Sequence, residues 1–442
     1  MAEAPIDLDH SSDDSPKRLE RVRNAVTTTN AGWVLLFRGL TALALYLAVR
    51  SEAVEGADYR FLAFFVSFIS ISQGIDFGLG GALAQLATRL PKHRESLRAI
   101  RGLVGRASTA FGGVSAVLVT ALILLLPTSA IGLSGGHLYF TAASLGLSTG
   151  LNVRAAGFER TLIGLGYYRL TMTGSGAVAA FSGLMIFAIA WRSAVFPNLC
   201  IAMFAGAVLR QLVVYFCVHR VIKAVPNDDE AVVLKEFTMR ELGRNSAIFF
   251  ALQLIFFVSF QSDTLVANAF GGATTTREYA TSLRFFVNIP GVVAVLCLPL
   301  WRSFAASVTQ GDPSAAWQRF KHAERVVVLC SVLTAAAIAV VLLARPHTFI
   351  GADFPATTAI VWIAWVGVLS WGQIMAYLLA SLNLLRYQLI LSTAMMIANV
   401  AISIWATKVF GAVGPALGTL VSYSVVLALP ARARARQLSL AA

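Results

Sequence analysis

Apolar residues along this chain gather in long unbroken runs, not in the 3.6- or 2-residue alternation of half-buried surfaces. Runs lie near 31–49, 60–88, 109–131, 138–157, 171–191, 195–219, 246–270, 279–301, 326–344, 356–383, 387–407 and 413–430. A helix needs about 20 such residues to cross a hydrocarbon layer ~30 Å thick, so the pattern predicts twelve transmembrane helices. The runs at 60–88 and 356–383 exceed that length and imply tilt or overshoot. The intervals between runs are linker-sized, so no separate soluble domain is expected.

Composition narrows the class. The chain has 442 residues, 57% hydrophobic and 13% charged, with mean hydropathy +0.73; soluble domains carry about 25% charged residues. A soluble enzyme, a secreted disulfide scaffold and a DNA-binding domain are excluded, and the net charge of +13 is read as loop orientation, not nucleic-acid binding. With twelve crossings, 26 Lys and Arg fall on one side, including the clusters at 89–106, 220–244 and 302–325, and 6 on the other. Arg38, Arg210 and Arg284 fall inside runs. This bias predicts a multi-pass protein with both termini cytoplasmic. Residues 1–24 are first acidic (Asp7, Asp9, Asp13, Asp14) and then basic. They are expected as a disordered tail with a headgroup-anchoring patch, not a signal peptide. Cys200, Cys217, Cys297 and Cys330 all lie in runs without CxxC spacing, and the six histidines sit in tails, loops or run ends. No metal site and no cofactor are expected.

Two landmarks point to an internal repeat. Tyr59 and Tyr279 each open a span after a short external loop, 220 positions apart, and Tyr168 and Tyr387 open later spans 219 apart. Six spans per half is an even number, so both halves would enter from the same side and be related by an axis along the membrane normal. The expected organisation is a tail (1–24), an N-terminal six-helix bundle (25–225), a cytoplasmic linker (226–245), a C-terminal six-helix bundle (246–430) and a basic tail (431–442).

Charges at bilayer depth are the candidates for function, because burial there costs several kcal/mol unless water or a partner receives them. Arg38, Arg210 and Arg284 lie in spans 1, 6 and 8. They either line a cationic cavity that binds an anionic group, or snorkel or pair with an acid. Asp76 and Asp263 are each either a proton or sodium site or a counter-ion for an arginine. Gly74, Gly78, Gly80 and Gly81 crowd span 2, where missing side chains permit close helix approach or a broken helix.

Several segments together resemble the bacterial polysaccharide flippases, the O-antigen and exopolysaccharide repeat-unit translocases (Wzx-type) of the multidrug/oligosaccharidyl-lipid/polysaccharide (MOP) exporter superfamily. They are Asp76-Phe77-Gly78-Leu79-Gly80-Gly81-Ala82-Leu83, Gln261-Ser262-Asp263 followed by Glu278-Tyr279, Pro299-Leu300-Trp301 with Gly311-Asp312 and Trp317, and Gly414-Pro415-Ala416-Leu417-Gly418. The resemblance spans the whole chain. One departure is the loop Glu55-Gly56-Ala57-Asp58-Tyr59, which lacks the usual Leu-Gly before it and leaves subfamily and substrate open. The resemblance implies an all-α integral membrane protein of MATE-like (MOP) fold in the bacterial inner membrane. It implies transport, not enzymatic catalysis. An undecaprenyl-pyrophosphate-linked glycan would be turned from the cytoplasmic to the outer leaflet, with membrane lipids and a polymerase or ligase of the pathway as partners. Arg38, Arg210 and Arg284 would meet the pyrophosphate. A MATE-type cation-coupled antiporter is the first rival, and its cavity should be acidic and aromatic. A membrane polymerase or acyltransferase is the second, disfavoured by short external loops and by the lack of a mid-span His.

Overall fold

The computed structural model describes residues 78–88, 94–125, 135–192, 196–224, 239–349 and 354–440. Span 1, Arg38, Gly74 and Asp76 lie outside the described residues.

The described chain is helical throughout. In the first half the helices are α1 (Leu79–Thr88), α2 (Arg94–Leu125), α3 (Gly136–Leu165), α4 (Tyr168–Arg192) and α5 (Phe196–Ala224). In the second half α6 (Met239–Val266) ends in a π turn, Ala267–Gly271, before α7 (Gly272–Phe286), α8 (Asn288–Leu296) and α9 (Leu298–Thr309). Then come α10 (Pro313–Ala344), α11 (Ala356–Ser381), α12 (Leu385–Phe410) and α13 (Gly414–Ser422), which passes through a π stretch at Tyr423–Ala428 into α14 (Leu429–Leu440). Six helical stretches among the described residues are long and apolar enough to cross a membrane. Two helices extend well beyond their apolar runs. α2 begins at Arg94 and α3 runs on to Leu165, because a helix entering water keeps its internal hydrogen bonds while its side chains turn polar.

The apolar run predicted as span 8 is covered by three helical segments, α7, α8 and α9. Pro290 and Pro299 stand at the starts of α8 and α9, where a missing N–H costs nothing and the fixed φ begins a new helix. Some buried hydroxyls elsewhere are accommodated by the helix itself. Ser148 Oγ donates to Ser144 O at 2.6 Å and Thr149 Oγ1 to Leu145 O at 2.8 Å, so neither needs water.

The internal repeat is visible in the helix bounds. α2 and α10 are both 32 residues long and begin 219 positions apart. α4 and α12 begin 217 apart, and α5 and α13 begin 218 apart. The halves are cored differently. The first packs small aliphatics such as Ala155, Leu162, Val214 and Val218. The second packs a wall of rings, with Phe286 stacked on Trp362 at 5.4 Å and Trp362 edge-on to Trp365 at 5.3 Å. On the outside, α10 exposes Val326, Leu329, Leu333, Val340 and Val341, the apolar stripe expected of a surface that faces lipid.

Candidate functional site

The halves meet at the end where the basic loops lie. Ala84, Ile163, Leu298, Trp301, Ala380 and Leu385 are buried together, and Gln85 Nε2 donates to Ala380 O at 3.2 Å. Gly78 makes the closest approach. A Cβ there would sit 2.2 Å from Ser246 O and 2.4 Å from Phe250 N, and its φ is +71°. Only glycine allows α1 and α6 to touch backbone to backbone. Its N–H donates to Gln253 Oε1 at 3.2 Å. Gly81 packs against the Phe249 ring, while Gly80 is buried within α1.

Toward the opposite end, span 8 carries an unusual surface. Between Arg277 and Val308 the exposed positions among the described side chains are Arg277, Arg284, Val287, Asn288 and Gly291. Arg277, Arg284, Asn288 and Gly291 form one stripe at helical spacing. Its polarity is opposite to that of the α10 stripe, and hydrocarbon would receive two guanidinium groups and an amide poorly. Asn288 Nδ2 donates to Arg284 O at 2.9 Å, and the Arg284 guanidinium makes no salt bridge among the described residues.

Arg210 is placed differently. It lies on α5 inside the first half, where its Nε donates to Glu159 Oε1 at 2.9 Å and its Nη2 to Glu159 Oε2 at 2.7 Å. Its Nη1 donates to Asn152 Oδ1 at 3.1 Å, and Ser175 Oγ donates to Glu159 Oε1 at 2.6 Å. The bidentate pair neutralises both charges and ties α3, α4 and α5 together.

Asp263, fully buried on α6, has no basic partner among its hydrogen bonds. Thr419 Oγ1 donates to Oδ2 at 2.5 Å, and Ser403 Oγ and Asn399 Nδ2 donate to Oδ1 at 3.0 and 3.1 Å. Asn399 Oδ1 accepts from Ser403 and Ser422. Tyr279, also fully buried, lies beside the carboxylate. The result is a carboxyl in a shell of neutral oxygens and one amide, joining α6, α12 and α13.

The structure therefore separates the arginines that the sequence grouped. Arg284 is exposed on the second half, Arg210 is ion-paired with Glu159 within the first, and Arg38 lies outside the described residues. Sequence reasoning missed Glu159, Arg277 and the Asn399–Ser403–Thr419 shell. Glu159 and Arg277 sit just past the ends of apolar runs and read as loop, and neutral polar residues within a span carry no signal of their own.

No protein-family model matches the sequence, and no curated protein matches it. Solved structures do. An outward-facing multidrug resistance MATE family transporter of the MOP superfamily superposes with TM-score 0.73 at 12% identity, over 93% of this chain and 96% of that one. A MATE in its bent conformation gives 0.72 at 12%, over 93% and 95%. A MOP superfamily transporter from Pyrococcus furiosus, in which reverse polarity of the binding pocket suggests a different function, gives 0.71 at 12%, over 94% and 95%. At these identities the likeness is one of fold. The chain is an all-α multi-pass membrane protein with the two-bundle fold of MATE and other MOP superfamily transporters.

Proposed function

We propose that this protein is a flippase. It moves an undecaprenyl-pyrophosphate-linked oligosaccharide from the cytoplasmic to the outer leaflet of a bacterial inner membrane by alternating access, for surface polysaccharide assembly with a polymerase or ligase. The observation that carries this reading is the exposed Arg277–Arg284–Asn288 stripe. An unpaired guanidinium on a water-facing wall suits a phosphate-bearing head, which lipid alone excludes because its polar groups would lose water without replacement partners. The polyprenyl tail stays in hydrocarbon between the halves while the head follows the polar wall. Closure of the halves at the basic-loop end fits one end-state of such a cycle. The fold shared with the Pyrococcus furiosus transporter adds that pocket polarity varies within this architecture.

A second reading has its own observation. The Asp263 carboxyl, held by neutral groups only, suits a proton or a small cation, which a cation-coupled antiporter of MATE type requires. The two readings part on one experiment. The Arg277→Ala/Arg284→Ala variant is expected to leave expression intact and to accumulate lipid-linked repeat unit on the inner leaflet, measured by lipid extraction. Normal surface polysaccharide from that variant, with loss of organic-cation efflux in an Asp263→Asn variant, would replace the flippase by the antiporter.

A further inference from the structure

The outer face of the first half holds a second basic site, remote from the wall just described. Arg98, Arg101 and Arg106 on α2 and Arg154 on α3 surround a groove of about 760 Å³ whose floor is Gly102, Gly105, Thr109 and Ala110. The two helices pack tightly beside it: a Cβ on Gly112 would lie 2.6 Å from Gly150 O, and one on Gly150 would lie 2.6 Å from Gly112 O. None of the four arginines makes a salt bridge among the described residues. Arg101 lies over the Tyr215 ring of α5, 5.5 Å from its centre. Arg154 Nε is buried with no hydrogen-bond partner among the described residues, which leaves a donor of a charged group unsatisfied.

The repeat supplies an internal comparison. Across the 219-residue offset between α2 and α10, Arg98 corresponds to Trp317, Arg101 to Phe320 and Gly105 to Glu324. In the second half Trp317 and Phe320 are buried and stacked. Glu324 there accepts from Trp371 Nε1 at 2.7 Å and pairs with Arg432. The second half thus fills this position with rings and its own carboxylate. The first half leaves it open and basic, with no acid among the described residues that line it.

We propose that the groove binds the phosphate headgroup of an anionic phospholipid of the bilayer, in the leaflet on the basic-loop side. Continuity with the lipid-facing surface assigns the occupant. On α2 the exposed line Arg98, Gly102 and Arg106 runs on into Val114, Val117, Leu118, Leu122 and Leu125, all more than half exposed. A ligand seated there meets guanidinium groups at its head and an apolar wall along its tail, the arrangement that selects an anionic lipid over a free anion.

The test is retention of lipid by the full-length protein, extracted from vesicles of mixed phosphatidylglycerol and phosphatidylcholine and counted by native mass spectrometry. The wild type is expected to keep phosphatidylglycerol in preference to phosphatidylcholine. The Arg98→Gln/Arg106→Gln variant, in which both replaced groups are exposed, should hold it roughly tenfold more weakly. A Gly105→Glu variant places in the groove the acid that the other half carries. A Cβ at Gly105 meets only the Phe158 ring, at 3.8 Å, so this variant should fold and also lose the lipid. Arg434→Gln/Arg436→Gln, which removes two arginines elsewhere, should change nothing. Four results would each overturn the assignment. They are equal retention in all variants, displacement by inorganic phosphate alone, preference for a polyprenyl phosphate over phosphatidylglycerol, and retention that begins only after Asp7, Asp9, Asp13 and Asp14 are changed to Asn. The last would make the acidic tail the occupant.

Discussion

Arg210 and Glu159 show what a full charge requires at bilayer depth. Both guanidinium–carboxylate bonds are short, and Asn152 and Ser175 take up further valences. Removing one partner leaves the other buried and unpaired, so Arg210→Leu is expected to lower stability by about 3–5 kcal/mol, whereas Glu159→Leu/Arg210→Leu together should recover most of it. Thermal unfolding in detergent measures both. A double variant that is stable yet inactive would mean that Arg210 contacts cargo as well. Asp263 follows a different rule, because its partners are neutral. Asp263→Ala would strand donors from Thr419, Ser403 and Asn399, at about 1–3 kcal/mol for each left unsatisfied. Asp263→Asn, close in shape, should fold nearly as well and abolish any cation-coupled step. Both acids and arginines stand out in an apolar sequence, since they are rare there. Their partners do not. Pairing of Arg210 with Glu159 depends on α3 continuing past its apolar run, and the Asp263 shell is drawn from residues more than 130 positions away in the chain.

At the scale of elements, the sequence announces helices by apolar length and segments them by proline, and the α2/α10 and α4/α12 correspondences follow the tyrosine spacing. What it does not announce is the contact between elements. The Gly74–Gly81 cluster signals close approach without saying to what, and the structure answers with α6 at Gly78. Gly78→Ala should therefore force the halves apart at the basic-loop end. On a background without native cysteines, Gln85→Cys, buried in the present arrangement, is expected to react with a permeant maleimide only when Gly78→Ala is also present. Outside the membrane, Asp312 caps α10. The Ala315 N–H and the Ser314 hydroxyl hold its carboxyl below the ordinary carboxylate range. A lowered value in the folded state means that the cap contributes above the unfolded carboxylate range and is lost as pH falls through that lowered value. Amide protection factors at residues 314–318, referred to the intrinsic exchange rate at each pH, should fall on acidification and fall equally in Asp312→Ala at neutral pH.

For the whole molecule, two bundles closed at one end and a polar wall toward the other make the membrane potential an informative variable. One charge crossing 100 mV is worth about 2.3 kcal/mol. A pyrophosphate head carrying roughly two negative charges gains about 4–5 kcal/mol on leaving an inside-negative compartment, so its export needs no coupling ion. A monovalent organic cation leaving the same compartment loses about 2.3 kcal/mol, which one incoming proton repays, and the exchange is electroneutral. The proposed flippase is thus expected to move fluorescent pyrophosphate-linked glycan faster in oriented vesicles when an inside-negative potential is imposed with valinomycin. Asp263→Asn should keep that acceleration, because the driving charge is on the cargo, while Arg277→Ala/Arg284→Ala should lose transport at every potential. Transport indifferent to potential and abolished by Asp263→Asn would instead place the driving charge on the buried carboxyl and make the protein an exchanger.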